Sequence, residues 1–466
     1  MGPTPWIILR GILLLALLAM FAVSLVTSLL AEHPEALVGP SNPGHGKDPG
    51  IRVLLLGKNS EPSHDRLTVR PLQDALLYCP DDKESWHMAL DPLHPVELLP
   101  QGRDGILVNI PSRAYTQTWQ VERLALTTRN LGAEGPIPDL ATIEAADTAP
   151  LFALSRDGGR QYRGNLEVVL ASATGLNAVN ALPIEAYLEG VLQGELAASW
   201  PDAALQAQAI AGRSYAYAAT WQRRSERGGL LRYDLTDGGK DPTYRGTGGG
   251  GQKFDWALRA TSGQILTYMG RPFRAHFHAA SGGHTANINS IEPDAHTVDG
   301  GLPLSSVMPA QEDPWFEEGL AALDQQERYG KRTVTITAAH LRARLERAGH
   351  EATWVNRIKA ERDDAERISA VTLKIIPSPD IVLSGEEFRH LVGVDKDGRY
   401  IVRSTLWSPE SPATTEAIGT WAITTSGWGH GVGMSQISAY AMARKGYAAR
   451  DILQQFYIGA EIEKKW

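Results

Sequence analysis

The pattern of charged and uncharged positions sets the first segment apart from the rest of the chain. Residues 11–30 form an uninterrupted run of twenty uncharged residues, which is long enough to cross a bilayer as a helix. Arg10 precedes the run and Glu32 follows it, so the positive-inside rule keeps the N-terminus in the cytoplasm. We expect residues 1–31 to be a cytoplasmic tip and a single-pass anchor in the cytoplasmic membrane, with the bulk of the chain on the extracytoplasmic side.

A cleaved signal peptide is the competing interpretation of this segment. Its apolar core would be shorter, and residues 29–31, Leu-Leu-Ala, make a poor small-x-small cleavage site. The pattern therefore favours the retained anchor.

The next two segments differ in their spacing of Pro, Gly and apolar residues. Residues 32–50 hold four prolines and four glycines, which is typical of a flexible spacer. From 51 to 150, short apolar runs alternate with Pro and Gly, beginning with the buried-strand candidate 51–57. This pattern predicts a small β-rich N-terminal module, and no catalytic cluster stands out within it.

The segment 151–466 is predicted to form one larger domain. It opens with short strands at 151–154, 166–171 and 176–179, continues into a helix of small residues from Asp202, and later forms a hairpin at 265–272. Residues 316–375 are rich in charge and read as a helical surface insertion, since 338–348 has helical spacing. The pattern as a whole predicts an α+β fold that is rich in strands.

The composition of the chain excludes some classes of function but does not identify one. The chain has 45 basic and 53 acidic side chains, a net charge of −8, which argues against a general nucleic-acid binder. Its single cysteine, Cys79, excludes an internal disulfide framework.

The most informative chemistry lies around the small-residue helix. Glu195 stands at a loop–helix junction, Pro201 has the fixed φ of a first helical turn, and Asp202 suits the positive end of the helix dipole. Arg213 lies among small residues, where a charge needs a carboxylate or a ligand as partner. Glu195 is the candidate for a working acid, although a lone Glu before a helix is usually a capping or solvated residue.

Several blocks of sequence, in this order along the chain, resemble the stage II sporulation protein D / LytB family of bacterial cell-wall proteins. The resemblance covers roughly residues 160–462. Its blocks are residues 162–168, 180–191, 194–195, 207–216, 241–246, 277–285 and 427–436.

This resemblance implies a SpoIID-like catalytic domain in which the small-residue helix carries the site. The sporulation protein is a lytic transglycosylase, and its catalytic glutamate matches Glu195. A single Glu can protonate the leaving oxygen and then take a proton from the C6 hydroxyl of muramic acid, and the apolar neighbours of Glu195 suit a protonated acid.

The resemblance and the chemistry of the side chains give these substrate-binding candidates: Arg213, Tyr215, Tyr244, His278, Ser281, His430, Ser435 and Gln436.

Three questions about these candidates stay open from the sequence. Arg213 either holds Glu195, or binds the lactyl carboxylate of the substrate, or forms a structural salt bridge. Glu185 and Asp241 are the possible second carboxylates, although nothing in the sequence forces either into the site. His430 is either a polar contact of the sugar chain or a buried core histidine.

The sequence speaks against three other types of site. His276, His278 and His284 raise the possibility of a metal, but the family members that hold one use cysteines, and this chain has none nearby; we predict no metal and no cofactor. The glycines of 427–436 lack the dinucleotide spacing. A Ser/His hydrolase lacks a nucleophile-elbow context.

The sequence thus predicts an anchored lytic transglycosylase that binds the glycan strands of peptidoglycan. The alternative is a LytB-like enhancer that binds glycan without cleaving it and has a cell-wall amidase as its partner.

Overall fold

The computed structural model describes residues 48–57, 63–81, 87–128, 151–155, 159–225, 233–239, 241–248, 251–292, 295, 297, 303–351, 354–376, 378–410 and 419–466. The predicted anchor and nearly all of the predicted spacer lie outside these residues. Within the described ranges, none of the helices combines the length and the apolar character that a bilayer span requires.

Two antiparallel sheets dominate the first part of the chain. Their strands up to residue 183 are β1 Gly50–Leu55, β2 Leu67–Pro71, β3 Ala75–Tyr78, β4 His87–Leu90, β5 Val96–Pro100, β6 Ile106–Ile110, β7 Tyr115–Trp119, β8 Arg123–Thr128, β9 Phe152–Leu154, β10 Arg160–Tyr162, β11 Asn165–Ser172 and β12 Gly175–Pro183. One sheet has the order β10-β9-β2-β5-β6-β7. The other joins β1-β12-β11-β8-β3-β4, with the short β13 (Leu235–Thr236) parallel to β1 at its edge.

Each of the two sheets contains strands from before residue 150 and strands from after it. β1 pairs with β12 along its whole length, from Gly50 opposite Pro183 to Leu55 opposite Ala178, and β2 pairs with β9. The apolar faces of the two sheets meet in one core that takes residues from both sides, such as Val108 and Val168. The module expected at 51–150 is therefore continuous with the start of the domain expected at 151–466, because its strands need β11 and β12 as partners.

The middle of the chain adds helices, short strands and a second core. The helices are α1 Ile184–Glu195, α2 Asp202–Ser225 and α3 Gly251–Ala260; the strands are β14 Gln264–Tyr268, β15 Arg271–Pro272 and β16 Phe277–His278. α2 begins directly after Pro201, as predicted, and β14 and β15 form the predicted hairpin. The buried alanines Ala207 and Ala211 of α2 lie in the second core with residues from near the C-terminus, because small side chains permit close approach.

The charged region is less helical than predicted. The elements of this region are α4 Phe316–Leu323, α5 Gln326–Tyr329, β17 Arg332–Thr337, α6 Ala338–Arg347, β18 Trp354–Arg362 and β19 Ile368–Ile376. The elements that follow it are β20 Ile381–Ser384, α7 Gly385–Val392, β21 Trp407–Glu410 and β22 Thr420–Thr425. α6 lies where the spacing placed a helix. β18 and β19, however, pair as strands with alternating exposed and buried residues, so many of the charges mark the outer face of a sheet.

The last elements return to the second core. They are β23 Met434–Ser435, α8 Gln436–Arg444, α9 Ala449–Phe456 and β24 Glu461–Lys464. β23 pairs in parallel with β16, so that Ser435 lies opposite His278, and α8 follows β23 without a break. The predicted α+β fold, rich in strands, is confirmed.

Candidate functional site

Glu195 is the last residue of α1, and a six-residue loop separates it from α2. Its side chain is half-buried. The backbone N–H of Thr243 donates to Oε1 at 2.8 Å, and the Gln436 amide nitrogen donates to Oε2 at 3.2 Å. The donors come from two distant parts of the chain, so the carboxylate is positioned by tertiary structure rather than by its own helix.

Two glycines let the Thr243 segment approach α1. Gly190 and Gly194 are four residues apart and share one face of the helix. A Cβ on Gly194 would overlap the carbonyl oxygen of Thr243, and one on Gly190 would overlap the ring of Tyr244. The segment 241–246 can therefore lie directly on the helix backbone, which brings the Thr243 N–H within reach of Glu195.

Gln436 is held in place by its own surroundings. It is the first residue of α8, is largely buried, and also approaches Gln208 Oε1 of α2 at 3.4 Å. Gln436 is thus the substrate-binding candidate that forms a hydrogen bond with Glu195.

Ser281 and Ser435 belong to a buried polar cluster around Asp313. The Ser281 and Ser438 hydroxyls each donate to Asp313 Oδ2 at 2.6 Å, and Ser435 lies 2.8 Å from the Ser438 hydroxyl. Burial raises the pKa of Asp313, against the opposing effect of its hydroxyl partners. Neither Ser281 nor Ser435 has any exposed surface, so the two hydroxyls anchor the start of α8 instead of lining a groove.

The structure selects the salt-bridge interpretation of Arg213. Its guanidinium is fully buried and pairs with Glu185 through Nε at 2.9 Å and Nη2 at 2.8 Å. Its Nη1 donates to the carbonyl oxygen of Gln264 at 3.1 Å. Arg213 therefore joins the first turn of α1 to α2 and β14, and it is a structural residue rather than a ligand of Glu195 or of substrate.

The two tyrosine candidates are also buried. The Tyr215 hydroxyl donates to Asp241 at 3.1 Å, and the Tyr244 hydroxyl donates to Asn180 at 2.8 Å. Asp241 also accepts from the backbone N–H of Thr236. Glu185 and Asp241, the possible second carboxylates, are thus both occupied by structural partners.

Three histidines lie together near the start of α8. The rings of His276 and His278 meet the ring of His430 edge-on, with centroids 5.8 and 5.7 Å away. His278 Nδ1 lies 3.1 Å from the Val432 carbonyl oxygen, whereas His430 Nδ1 accepts from the Val432 N–H at 3.0 Å. Burial lowers the pKa of His278 well below its usual range and lowers the pKa of His430 to about 3, so both rings are neutral at neutral pH.

This neutral state fixes the tautomers. His278 carries its hydrogen on Nδ1 and His430 carries its own on Nε2. The half-buried His430 can therefore donate a hydrogen bond to a ligand. Among the described residues, no group of three or more His, Cys, Asp or Glu side chains could hold a metal ion.

The sequence reasoning missed two aromatic pairs, Trp200 with Tyr440 and Tyr329 with Trp428. Trp200, in the loop after Glu195, meets Tyr440 of α8 edge-on at 5.1 Å. Tyr329 meets Trp428 edge-on at 6.0 Å. Tyr440 lies one helical turn after Gln436, so helical spacing along α8 could have placed Tyr440 on the same face as Gln436. No sequence feature around Tyr329 indicated its contact with Trp428.

The comparisons with known proteins cover the part of the chain that contains Glu195. The family model described as "SpoIID: Stage II sporulation protein" matches residues 172–268, which contain α1, Glu195 and the 241–246 segment. Stage II sporulation protein D of Bacillus subtilis (strain 168) is 26% identical over 341 residues, covering 70% of this chain and 87% of that protein.

Two more relatives extend the comparison. Stage II sporulation protein D of Bacillus amyloliquefaciens is 26% identical over 302 residues, 62% of this chain and 77% of that protein. A protein named "Amidase enhancer" from Bacillus subtilis (strain 168) is 24% identical over 312 residues, 59% of this chain but 40% of that protein. With the blocks seen in the sequence, these matches show that the chain is similar to the stage II sporulation protein D / LytB (SpoIID/LytB) family and support its place there.

Proposed function

We propose that this protein is a lytic transglycosylase that cleaves the glycan strands of peptidoglycan, with Glu195 as general acid and base. The observation that carries the proposal is the half-buried Glu195 carboxylate, fixed by the Thr243 N–H and the Gln436 amide. Each oxygen accepts one of these bonds, and a carboxylate has about four acceptor positions. Capacity therefore remains for a proton and for a substrate hydroxyl.

The reaction needs one carboxylate used twice. Protonated Glu195 gives its proton to the bridging oxygen as the bond from that oxygen to C1 of muramic acid breaks. The C6 hydroxyl of the same sugar then attacks C1, and Glu195 takes the hydroxyl proton, which restores the acid and leaves a 1,6-anhydro end. Glu185 is paired with Arg213, and Asp241 accepts hydrogen bonds from Tyr215 and Thr236. Because neither carboxylate is free to act as a partner base, these contacts are consistent with a mechanism that uses one carboxylate.

The test is product analysis by mass spectrometry. Purified full-length protein is incubated with glycan strands whose stem peptides have been removed by an amidase, and separately with intact peptidoglycan. We expect anhydromuramyl ends from the wild-type protein and a rate lower by about 10²–10⁴-fold for Glu195→Gln, as for loss of a general acid.

Glu318→Gln is the matched control. Glu318 is an exposed carboxylate of α4 whose ion-pair partner is Lys445, so this variant should cleave at the wild-type rate. The absence of anhydromuramyl ends, or equal product from Glu195→Gln, would reject the proposal.

A second candidate function follows from the relative named "Amidase enhancer". In that case the region around Glu195 binds glycan and presents it to a cell-wall amidase, and no strand is cut. Wild type and Glu195→Gln would then stimulate an added amidase equally, and neither would produce anhydromuramyl ends.

Both functions place the chain outside the cytoplasmic membrane, where peptidoglycan lies. We propose that residues 11–30 are the anchor that holds it there. Retention in the membrane fraction after alkaline carbonate extraction, with the C-terminus accessible to protease from outside, would support this. Release by the extraction would favour a cleaved signal peptide.

A further inference from the structure

An arginine–aromatic cluster borders the candidate active site and has no role in the proton transfers described above. It consists of Arg328, Tyr329, Arg403 and Trp428. The guanidinium carbon of Arg328 lies 5.1 Å from the Tyr329 ring centroid and 5.6 Å from that of Trp428. The guanidinium carbon of Arg403 lies 5.2 Å from the Trp428 centroid. Two cations therefore contact one tryptophan.

Packing connects this cluster to Glu195. Tyr329 and Trp428 lie against a small core that contains Ile437, the residue after the Gln436 whose amide holds Glu195. Burial raises the pKa of Tyr329, and the charge of Glu195 contributes to the rise. The phenol and the carboxylate are therefore near enough to interact, which puts the cluster beside the proposed reacting centre.

The cluster holds more positive charge than its surroundings compensate. Burial lowers the pKa of Arg403, the nearby cations Arg332, Arg399 and Arg328 lower it further, and Asp395 acts against them. Among the described residues, no carboxylate forms an ion pair with Arg328, Arg332, Arg399 or Arg403, although many other arginines have such a partner. This excess is local, since the whole chain carries −8.

Arg403 is built into the protein rather than displayed on its surface. It is 4% exposed, and its Nη1 donates to the carbonyl oxygens of Glu327 and Arg328 at 2.9 and 2.6 Å. Its Nε is buried without a hydrogen-bond partner. Clustered guanidinium groups without a counterion repel one another, and a bound anion would relieve that cost.

We propose that the arginine–aromatic cluster is a subsite that binds a carboxylate of the glycan strand, with Arg328 as its accessible cation. The inference rests on the proposed function for its substrate class. A guanidinium fork matches the two oxygens of a carboxylate, and the faces of Trp428 and Tyr329 supply apolar surface for the C–H side of a sugar. Two carboxylates fit this chemistry, the lactyl group of muramic acid and a carboxyl group of an attached stem peptide.

The experiment measures binding in full-length Glu195→Gln protein, so that no strand is consumed. The probes are glycan strands without stem peptides, strands with stem peptides, and chitooligosaccharides, which lack the carboxylates. Arg328→Gln should weaken binding of at least one carboxylate-bearing probe by about tenfold, the effect of losing one charge-assisted bond. Binding of chitooligosaccharides should be unchanged, and the difference should shrink as salt is added.

Arg342→Gln is the control, because Arg342 is an exposed arginine of α6 that pairs with Glu346. Loss confined to strands without stem peptides would identify the lactyl carboxylate, and loss confined to strands with them would identify the peptide carboxylate. Equal weakening of all three probes, or no weakening of any, would overturn the inference. Cleavage by the wild-type protein is measured separately. The binding result can therefore contradict the subsite while cleavage supports the proposed function, or support the subsite while cleavage is absent.

Discussion

At the scale of single residues, the structure gives structural partners to Glu185 and Asp241, whereas Glu195 is the carboxylate that we propose as the acid. From the sequence, Arg213 could hold Glu195, bind the lactyl carboxylate of the substrate or form a structural salt bridge with a partner that the sequence did not name. Glu185 lies in the first turn of α1 and Glu195 in the last, and the guanidinium binds the first of them. The sequence required a partner for a buried arginine, but spacing alone could not choose between two ends of one helix.

Asp48 belongs to the same cluster and provides a pH-dependent prediction. Its carboxylate accepts the N–H groups of Ile184 and Glu185 at the start of α1, and burial, with the charge of Glu185 nearby, raises the pKa of Asp48 to about 7. Because the folded state favours protonated Asp48, its contribution to stability is fully present below its unfolded pKa of about 4 and is lost as pH rises through about 7.

Asp48→Asn should therefore reduce the decline of unfolding free energy between those pH values. The measurement is urea unfolding at a series of pH values, compared with wild type and with Asp65→Asn, an exposed control. The same decline in wild type and in Asp48→Asn would show that Asp48 does not titrate in this window.

At the scale of elements, the face of α1 that carries Gly190 and Gly194 decides where Glu195 points. The two glycines admit the 241–246 segment, and the N–H of Thr243 then fixes Oε1. Helix propensity alone would favour alanine at both positions by about 1 kcal/mol, so the glycines are explained by the close approach.

Gly194→Ala should consequently lower cleavage by tenfold or more, because the new Cβ forces Thr243 away from α1. The control is Gly212→Ala in α2, where the nearest atom is the flexible Leu188 Cδ2 at 3.2 Å, and activity should stay near that of wild type. Cleavage rates and melting temperatures of both variants separate a displaced site from general unfolding. A fully active Gly194→Ala variant would mean that the Thr243 bond is dispensable.

Local sequence patterns predicted helices and strands better than they predicted which side chains contact one another in the folded protein. The start of α2 at Pro201, the hairpin at 264–272 and α6 follow from turn residues and apolar spacing that the sequence displays. Charge density misled at 354–376, where alternation of exposed and buried residues, rather than helical spacing, was the informative period. The burial of Tyr215, Tyr244, Ser281 and Ser435 depends on contacts between distant segments, which no local pattern contains.

At the scale of the whole molecule, the continuity of the sheets means that the two parts predicted around residue 150 depend on each other. β11 lies between β8 and β12, and β12 lies between β11 and β1. Removing the residues before 151 would expose both sheet edges and half of a shared apolar core. Such unpaired edges and apolar surface favour aggregation.

A fragment spanning 151–466 should therefore fail to fold alone, whereas one spanning 48–466 should unfold in a single cooperative transition. Thermal unfolding followed by circular dichroism, with size-exclusion chromatography to detect aggregates, compares the two. Adding a separate 48–150 fragment during refolding should restore soluble material, because it returns β1 to β12 and β8 to β11. Cooperative unfolding of 151–466 by itself, at the melting temperature of the longer fragment, would show that the family domain is autonomous and that the shared sheets add little to its stability.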